Sequence, residues 1–137
     1  MSTVLVIGAS RGIGLEFVRQ YRADGARVIA TARDAAGLEQ LQALSAQTIK
    51  LDVNDVSSVS ALAQQLDGEK IDVALYVAGV LAGGNAGDPP AAEVFDQVMR
   101  TNVLAPMRVL PQLAEVLAPD ARLVVLSSKM GSIGLRT

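Results

Sequence analysis

The 137-residue chain contains no cysteine and no histidine. The first absence removes disulfides, thiolate metal sites and cysteine nucleophiles, and the second removes every triad built on histidine. No metal site is expected. A proton donor has to be a Tyr, Lys, Asp or Glu, or a serine in a relay. Aromatic residues are only 3% of the chain, whereas hydrophobic residues are 50%. The core is therefore expected to be Ala, Val, Leu and Ile, which suits aliphatic strands under alanine-rich helices. The formal net charge is −2 and no basic run is present, which argues against nucleic acid as a partner. Long apolar runs are also missing. Val4 to Ile7 has no basic flank before it, and the longest run, around Val73 to Ala78, is far too short to span a bilayer. A soluble cytoplasmic protein without a membrane partner is the expectation.

What is present is an alternation of short aliphatic runs with segments of helical period. Val4 to Ile7 reads as a buried strand. Gly12 to Asp24 reads as a helix with Ile13, Phe17, Val18 and Tyr21 on one face and Gly25 as its stop. Arg27 to Thr31 is the next strand. Leu38, Leu41 and Leu44 form a short helix behind a possible N-cap at Asp34. Thr48 to Leu51 is a third strand, and Val59, Leu62, Ala63 and Leu66 give a helix ending near Gly68. Val73 to Val77 is a fourth strand. A loop rich in Gly, Asn and Pro is expected from Gly79 to Pro90, then a long helix from Val94 through Met107 towards Leu117. Leu123 to Leu126 is a fifth strand. Such an order predicts an α/β fold of one domain over residues 1–137, a Rossmann-like doubly wound parallel sheet with helices on both faces. In that topology the ligand crevice lies at the carboxyl ends of the strands.

The first strand runs directly into Gly8-Ala9-Ser10-Arg11-Gly12-Ile13-Gly14, which opens a helix. A pyrophosphate needs this arrangement. Gly8 allows a sharp turn, Gly12 allows close approach of backbone to the phosphates, and Gly14 allows the helix to pack tightly. The free N–H groups of the first turn then face the anion. A plain structural turn is the bland alternative, but position at the head of a βαβ unit argues for the dinucleotide.

The spacing G-x-x-x-G-x-G with Gly-Ile-Gly at its end resembles the short-chain dehydrogenase/reductase family. The likeness to its C-factor-like members is greatest over Gly12 to Tyr21 and from Phe95 to Ile133. The resemblance implies an oxidoreductase that moves hydride between a nicotinamide dinucleotide and a carbonyl or alcohol. An NAD enzyme wants an acid at the end of strand two. Here Ala32 holds that position, Arg33 follows it, and Arg11 stands in the glycine loop. Two guanidinium groups suit a ribose 2′-phosphate, so NADP(H) is expected over NAD(H). Both arginines could equally be solvated, and Asp34 could pair with Arg33 or cap a helix.

The resemblance also assigns roles further along. Asp52 and Val53 would contact adenine, although a capping Asp fits the local sequence equally well. Ala78 and Gly79 would leave room for the dinucleotide; the two asparagines that precede them in the family are Tyr76 and Val77 here. Asn102 matches the family's catalytic asparagine. Pro106, four residues later, has no N–H, so the helix is expected to kink and free the Asn102 carbonyl for a relay water. Ser128, the second serine of Ser127-Ser128, would polarise the substrate carbonyl. The family's acid is a Tyr with a Lys four residues on. Tyr21 is followed there by Gly25 and Tyr76 by Val80, so neither fits. The chain is accordingly expected to be a C-terminally truncated view of the family, with little reductase activity and with strand five as an open edge. The helix from Glu93 resembles a family dimer surface, so a dimer or tetramer is expected. The alternative reading is a non-catalytic dinucleotide-binding sensor or signalling module.

Overall fold

The computed structural model describes residues 2–9, 12–77 and 92–126. Five strands, β1 (Thr3–Ile7), β2 (Arg27–Ala32), β3 (Gln47–Lys50), β4 (Ile71–Tyr76) and β5 (Leu117–Val125), form one sheet in the order β3-β2-β1-β4-β5. Every pairing is parallel. Helices α1 (Gly12–Ala23), α2 (Ala35–Ala43) and α3 (Val56–Gln65) make the first three crossovers. The fourth contains α4 (Ala92–Met99), a π-helical turn (Arg100–Leu104), α5 (Ala105–Val109) and a 3-10 turn (Leu110–Leu113). The doubly wound architecture expected from the alternating pattern is therefore present.

Strand alternation divides the core into two layers. Val4, Val6, Val28 and Ala30 face Val18 of α1 and Leu41 of α2. Leu5, Ile7, Ile29 and Tyr76 face Leu62 of α3 and Val109 of α5. Runs that are apolar at every position are what such a sheet requires, since both faces are covered.

The amino ends of the strands are tied by polar contacts. Arg27 grips Glu69 with both terminal nitrogens, at 2.6 and 2.7 Å, and reaches Gln47 at 2.7 Å. The Thr3 N–H donates to the Asp72 carboxylate at 2.8 Å. These contacts lie at the opposite end of the sheet from the crevice.

Several boundaries differ from the sequence reading. Of the residues expected on the inner face of α1, Phe17, Val18 and Tyr21 pack against the core, whereas Ile13 is 64% exposed and Gly14 is buried in its place. A glycine carries no hydropathy signal, so a helix that approaches through it conceals its inner face. The helix expected to reach Leu117 ends at Leu113, and Leu117 begins β5. That strand starts six residues earlier than read, because Leu117 pairs with Ile71 before a break. Ala118 to Ala121 then stand opposite the single Asp72, and Arg122 pairs with Val73. Pro119 lacks the N–H that a continuous ladder needs. From Leu123 to Leu126 the side chains are exposed, and among the described residues β5 is an edge of the sheet. The loop expected from Gly79 to Pro90 lies outside the described residues.

The break in regular helix expected at Pro106 takes the form of a π turn. In an α-helix its missing N–H would strand the Asn102 carbonyl. The chain instead widens to a π turn just ahead of the proline, with the Ala105 N–H bonded back to the Arg100 carbonyl. Helical structure resumes at once, and Pro106 sits buried in the first turn of α5.

Candidate cofactor site at the carboxyl ends of the strands

The site begins where β1 stops. Gly8 and Gly12 adopt φ values of +85° and +61°, a region costly for residues with a Cβ. The Gly8 N–H donates to the buried Thr31 hydroxyl at 3.1 Å, and the Ala9 N–H donates to the Thr31 carbonyl at 2.9 Å. Strand β2 thus holds the turn in place. Thr31 is a site residue that the sequence reading missed. Its only signal is a hydroxyl in an otherwise apolar strand, which acquires meaning once the register puts it beside the turn.

The three glycines do separate things. A Cβ on Gly14 would stand 2.3 Å from the Gly8 carbonyl oxygen and 3.0 Å from Ala9 Cα. Gly14 therefore lets α1 seat directly on the turn. Among the described residues a Cβ on Gly12 would meet nothing within 4 Å, so they leave open space beside the first residue of α1. No acidic residue stands in the first turn of that helix. An anion can approach the N–H groups there without repulsion. Ser10 and Arg11 lie outside the described residues.

At the end of β2, Asp34 resolves the ambiguity around Arg33. Its carboxylate accepts the Gly37 N–H at 2.7 Å and caps α2. Arg33 is exposed and has no carboxylate partner among the described residues. At the end of β3, Val53 is buried and the Asp52 carboxylate accepts the Asn54 N–H at 2.9 Å. The Asp52 N–H donates to Ser58 Oγ at 3.1 Å. The cap of α3 is Asp55, which accepts from Ser57 and Ser58, so the capping role weighed for Asp52 falls to its neighbour. Only one oxygen of Asp52 is engaged in that turn.

At the end of β4, backbone bonds hold the central strands together. The Val77 N–H donates to the Ile7 carbonyl at 2.9 Å, and the Leu126 N–H to the Tyr76 carbonyl at 3.0 Å. Tyr76 is 2% exposed, and its hydroxyl has no hydrogen-bond partner among the described residues. Burial pushes its phenol well above the ordinary tyrosine range, which keeps it protonated. Ala78 and Gly79 lie outside the described residues, as does Ser128. Of Asn102 the structure describes the backbone, which sits within the π turn. That turn is joined to the β3–α3 connection: Asn54 Nδ2 donates to Thr101 Oγ1 at 2.8 Å. The pair is separated by 47 positions, and neither residue stands out in the sequence.

The structure thus gathers Gly8, Gly12, Ile13, Gly14, Arg33, Asp52, Val53 and the Asn102 backbone at one end of the sheet. Among the described residues no group of three acidic side chains could hold a metal. No helix among them is long and apolar enough to cross a membrane.

Comparison with known proteins gives one family throughout. A family model described as short chain dehydrogenase matches residues 2–137. The chain is 34% identical to 1-hydroxy-2-glutathionyl-2-methyl-3-butene dehydrogenase of Rhodococcus sp. (strain AD45), covering 100% of this chain and 61% of that protein. It is also 34% identical to human carbonyl reductase (NADPH) 1, over 97% of this chain and 51% of that one. Among solved structures, a carbonyl reductase from Pseudomonas aeruginosa PAO1 in complex with NADP superposes with a TM-score of 0.84 at 31% identity. That match covers 98% of this chain and 64% of the other. The chain spans about half the length of the curated carbonyl reductases it matches.

Proposed function

The chain belongs to the short-chain dehydrogenase family, and on that premise we propose that it binds NADP(H) and forms the cofactor half of a carbonyl reductase. The observation that carries this reading is the glycine turn. Two left-handed glycines and a third that admits no Cβ put the open start of α1 at the carboxyl end of β1. A dinucleotide pyrophosphate needs such a place.

Each site residue has a part in the proposal. Gly8, Ser10, Gly12, Ile13 and Gly14 bind the pyrophosphate through main chain. Arg11 and Arg33 meet the ribose 2′-phosphate. Capping withdraws Asp34 from Arg33, which leaves that guanidinium available for an outside anion. The second Asp52 oxygen accepts from the adenine amino group, and the Val53 N–H assists. Ala78 and Gly79 leave room for the nicotinamide end. NADP-bound and NADPH-named relatives support the choice of cofactor.

Reduction of a ketone needs hydride on carbon and a proton on oxygen. The nicotinamide supplies hydride when bound. Ser128 polarises the carbonyl, and the Asn102 main chain holds a water that carries the proton. A serine is a poor acid, and no tyrosine of residues 1–137 has a lysine four positions on. The family's Tyr-x-x-x-Lys donor is therefore not among residues 1–137. The substrate is a carbonyl or alcohol compound.

We also propose that copies of the chain associate through the helix that starts at Ala92. Met99, Val103, Leu104 and Met107 are all exposed there, with Met107 at 68%, and such a patch on a surface marks an interface.

The test is oxidation of NADPH in the presence of a panel of ketones and aldehydes. Residues 1–137 alone should bind NADPH without turnover, and a polypeptide that adds the Tyr-x-x-x-Lys pair should turn over. Turnover by residues 1–137 alone would contradict the role given to the missing acid.

A further inference from the structure

The hydrogen bond between Asn54 and Thr101 joins two parts of the site that have separate tasks. Asn54 lies in the β3–α3 connection, where its N–H is held at 2.9 Å by the Asp52 carboxylate. Asp52 itself is braced by the Ser58 hydroxyl on its N–H and by the Asp55 N–H on its carbonyl. Thr101 is only 5% exposed and lies in the π turn, immediately before Asn102. A hydrogen bond of 2.8 Å therefore connects the loop carrying the adenine contact to the turn carrying the catalytic asparagine.

The π turn is a suitable place for such a link. One extra residue has to be accommodated in a single turn, a geometry rarer and less regular than the α form on either side. Pro106 denies the helix one donor there. A turn with weakened internal bonding is more sensitive than a regular helix to a contact from outside. Asn54 holds it from a part of the sequence 47 positions away.

We infer that Asn54 is a positioning residue: through Thr101 it passes occupancy of the adenylate subsite to the π turn that sets Asn102. The path has three direct steps. Ligand at Asp52 holds the carboxylate, the carboxylate holds the Asn54 main chain, and the Asn54 amide holds Thr101. This rests on the cofactor reading given above, because it needs an adenylate at Asp52.

The test uses the whole chain with adenosine 2′,5′-bisphosphate, the adenylate part of NADP. That ligand carries no nicotinamide to contact Asn102. Hydrogen exchange is followed at the Ala105 amide, whose bond to the Arg100 carbonyl closes the π turn. In the unsubstituted protein the ligand should slow exchange there by about fivefold, the effect of a modest coupling between sites. Asn54→Ala should still bind the ligand, yet show less than about a twofold change at Ala105. Asn54 is exposed, so this substitution leaves the core intact. Thr101→Ser keeps the hydroxyl and should retain the slowing.

Equal slowing in Asn54→Ala and the unsubstituted protein would overturn the inference, since a merely structural bond gives that result. Binding without slowing in the unsubstituted protein would overturn it and leave the cofactor reading intact. Loss of slowing in Thr101→Ser would also overturn it, because packing of the methyl group would then carry the effect. Failure of the unsubstituted protein to bind the ligand at all would remove the cofactor reading, and this inference with it.

Discussion

Replacing Gly14 with alanine tests whether α1 rests on the glycine turn. Two effects of opposite sign compete. Alanine favours a helix over glycine by about 1 kcal/mol. Against that, the new Cβ would lie 2.3 Å from the Gly8 carbonyl oxygen, whereas ordinary carbon–oxygen contacts begin near about 3.3 Å. The obstacle is main chain, and Thr31 holds that main chain through the Gly8 and Ala9 N–H groups. It cannot swing aside as a side chain would. The helix must retreat by about 1 Å, which loosens Val18 from the sheet, and overpacking of this kind costs about 1–3 kcal/mol, occasionally more. The clash outweighs the propensity. Because the obstacle is fixed main chain, the cost lies in the upper part of that range, and a net loss of roughly 1–2 kcal/mol should lower Tm by about 4–8 °C in a chain of this size. Thermal unfolding followed by circular dichroism measures it, and Gly14→Ser should lose more than Gly14→Ala. A Gly14→Ala protein that melts at or above the temperature of the unsubstituted one would refute the reasoning.

Four further outcomes follow from particular residues. Tyr76→Phe removes a buried hydroxyl that has no partner among the described residues, so stability should rise by about 1–3 kcal/mol in urea denaturation; a loss would mean the hydroxyl is bonded. Because burial raises the Tyr76 pKa, the unfolded chain releases that proton first, so the unsubstituted protein should lose stability above about pH 10 faster than Tyr76→Phe does. The Glu69 carboxylate is held below its usual range by hydrogen bonding from the Arg27 guanidinium, against an opposing effect of burial. The contribution of that contact is present at neutral pH and disappears as pH falls below about 4.3. Glu69→Gln should therefore cost about 1 kcal/mol at pH 7 and much less in acid, and an equal loss at both pH values in denaturant titrations would count against the ion pair. Finally, Met107→Glu puts a charge into the exposed apolar face of the helix, and sedimentation should show it as a monomer where the unsubstituted protein associates; unchanged association would move the interface elsewhere.

Legibility in the sequence followed the physics of each signal. Strands β1, β2 and β4 have apolar centres because both faces are covered, and they could be read to within a residue or two. The glycine turn was readable because each glycine has a separate backbone reason to be there. Asp34 announced its cap, but only coordinates show that capping releases Arg33. Other features depend on register or on absent groups. Gly14 hides the inner face of α1, and Ile13 misleads in its place. The pairing of Leu117 with Ile71 is masked by Pro119. Pro106 promised a break in the helix because an α-helix has no answer to a missing N–H, and the chain supplies it as a π turn one step earlier. Thr31 and the Asn54–Thr101 pair acquire roles through contacts across 23 and 47 positions, which local pattern cannot foresee.

The central claim is that the carboxyl ends of these strands hold a dinucleotide bearing a 2′-phosphate. Calorimetric titration of the chain with NADPH and with NADH tests it most directly, run alongside the Arg11→Ala/Arg33→Ala double variant. The account predicts that NADPH binds more tightly than NADH by at least about tenfold, and that the double variant loses about 2–5 kcal/mol of NADPH affinity while NADH is little affected. Equal affinity for the two cofactors, or a double variant that binds NADPH as well as before, would contradict it.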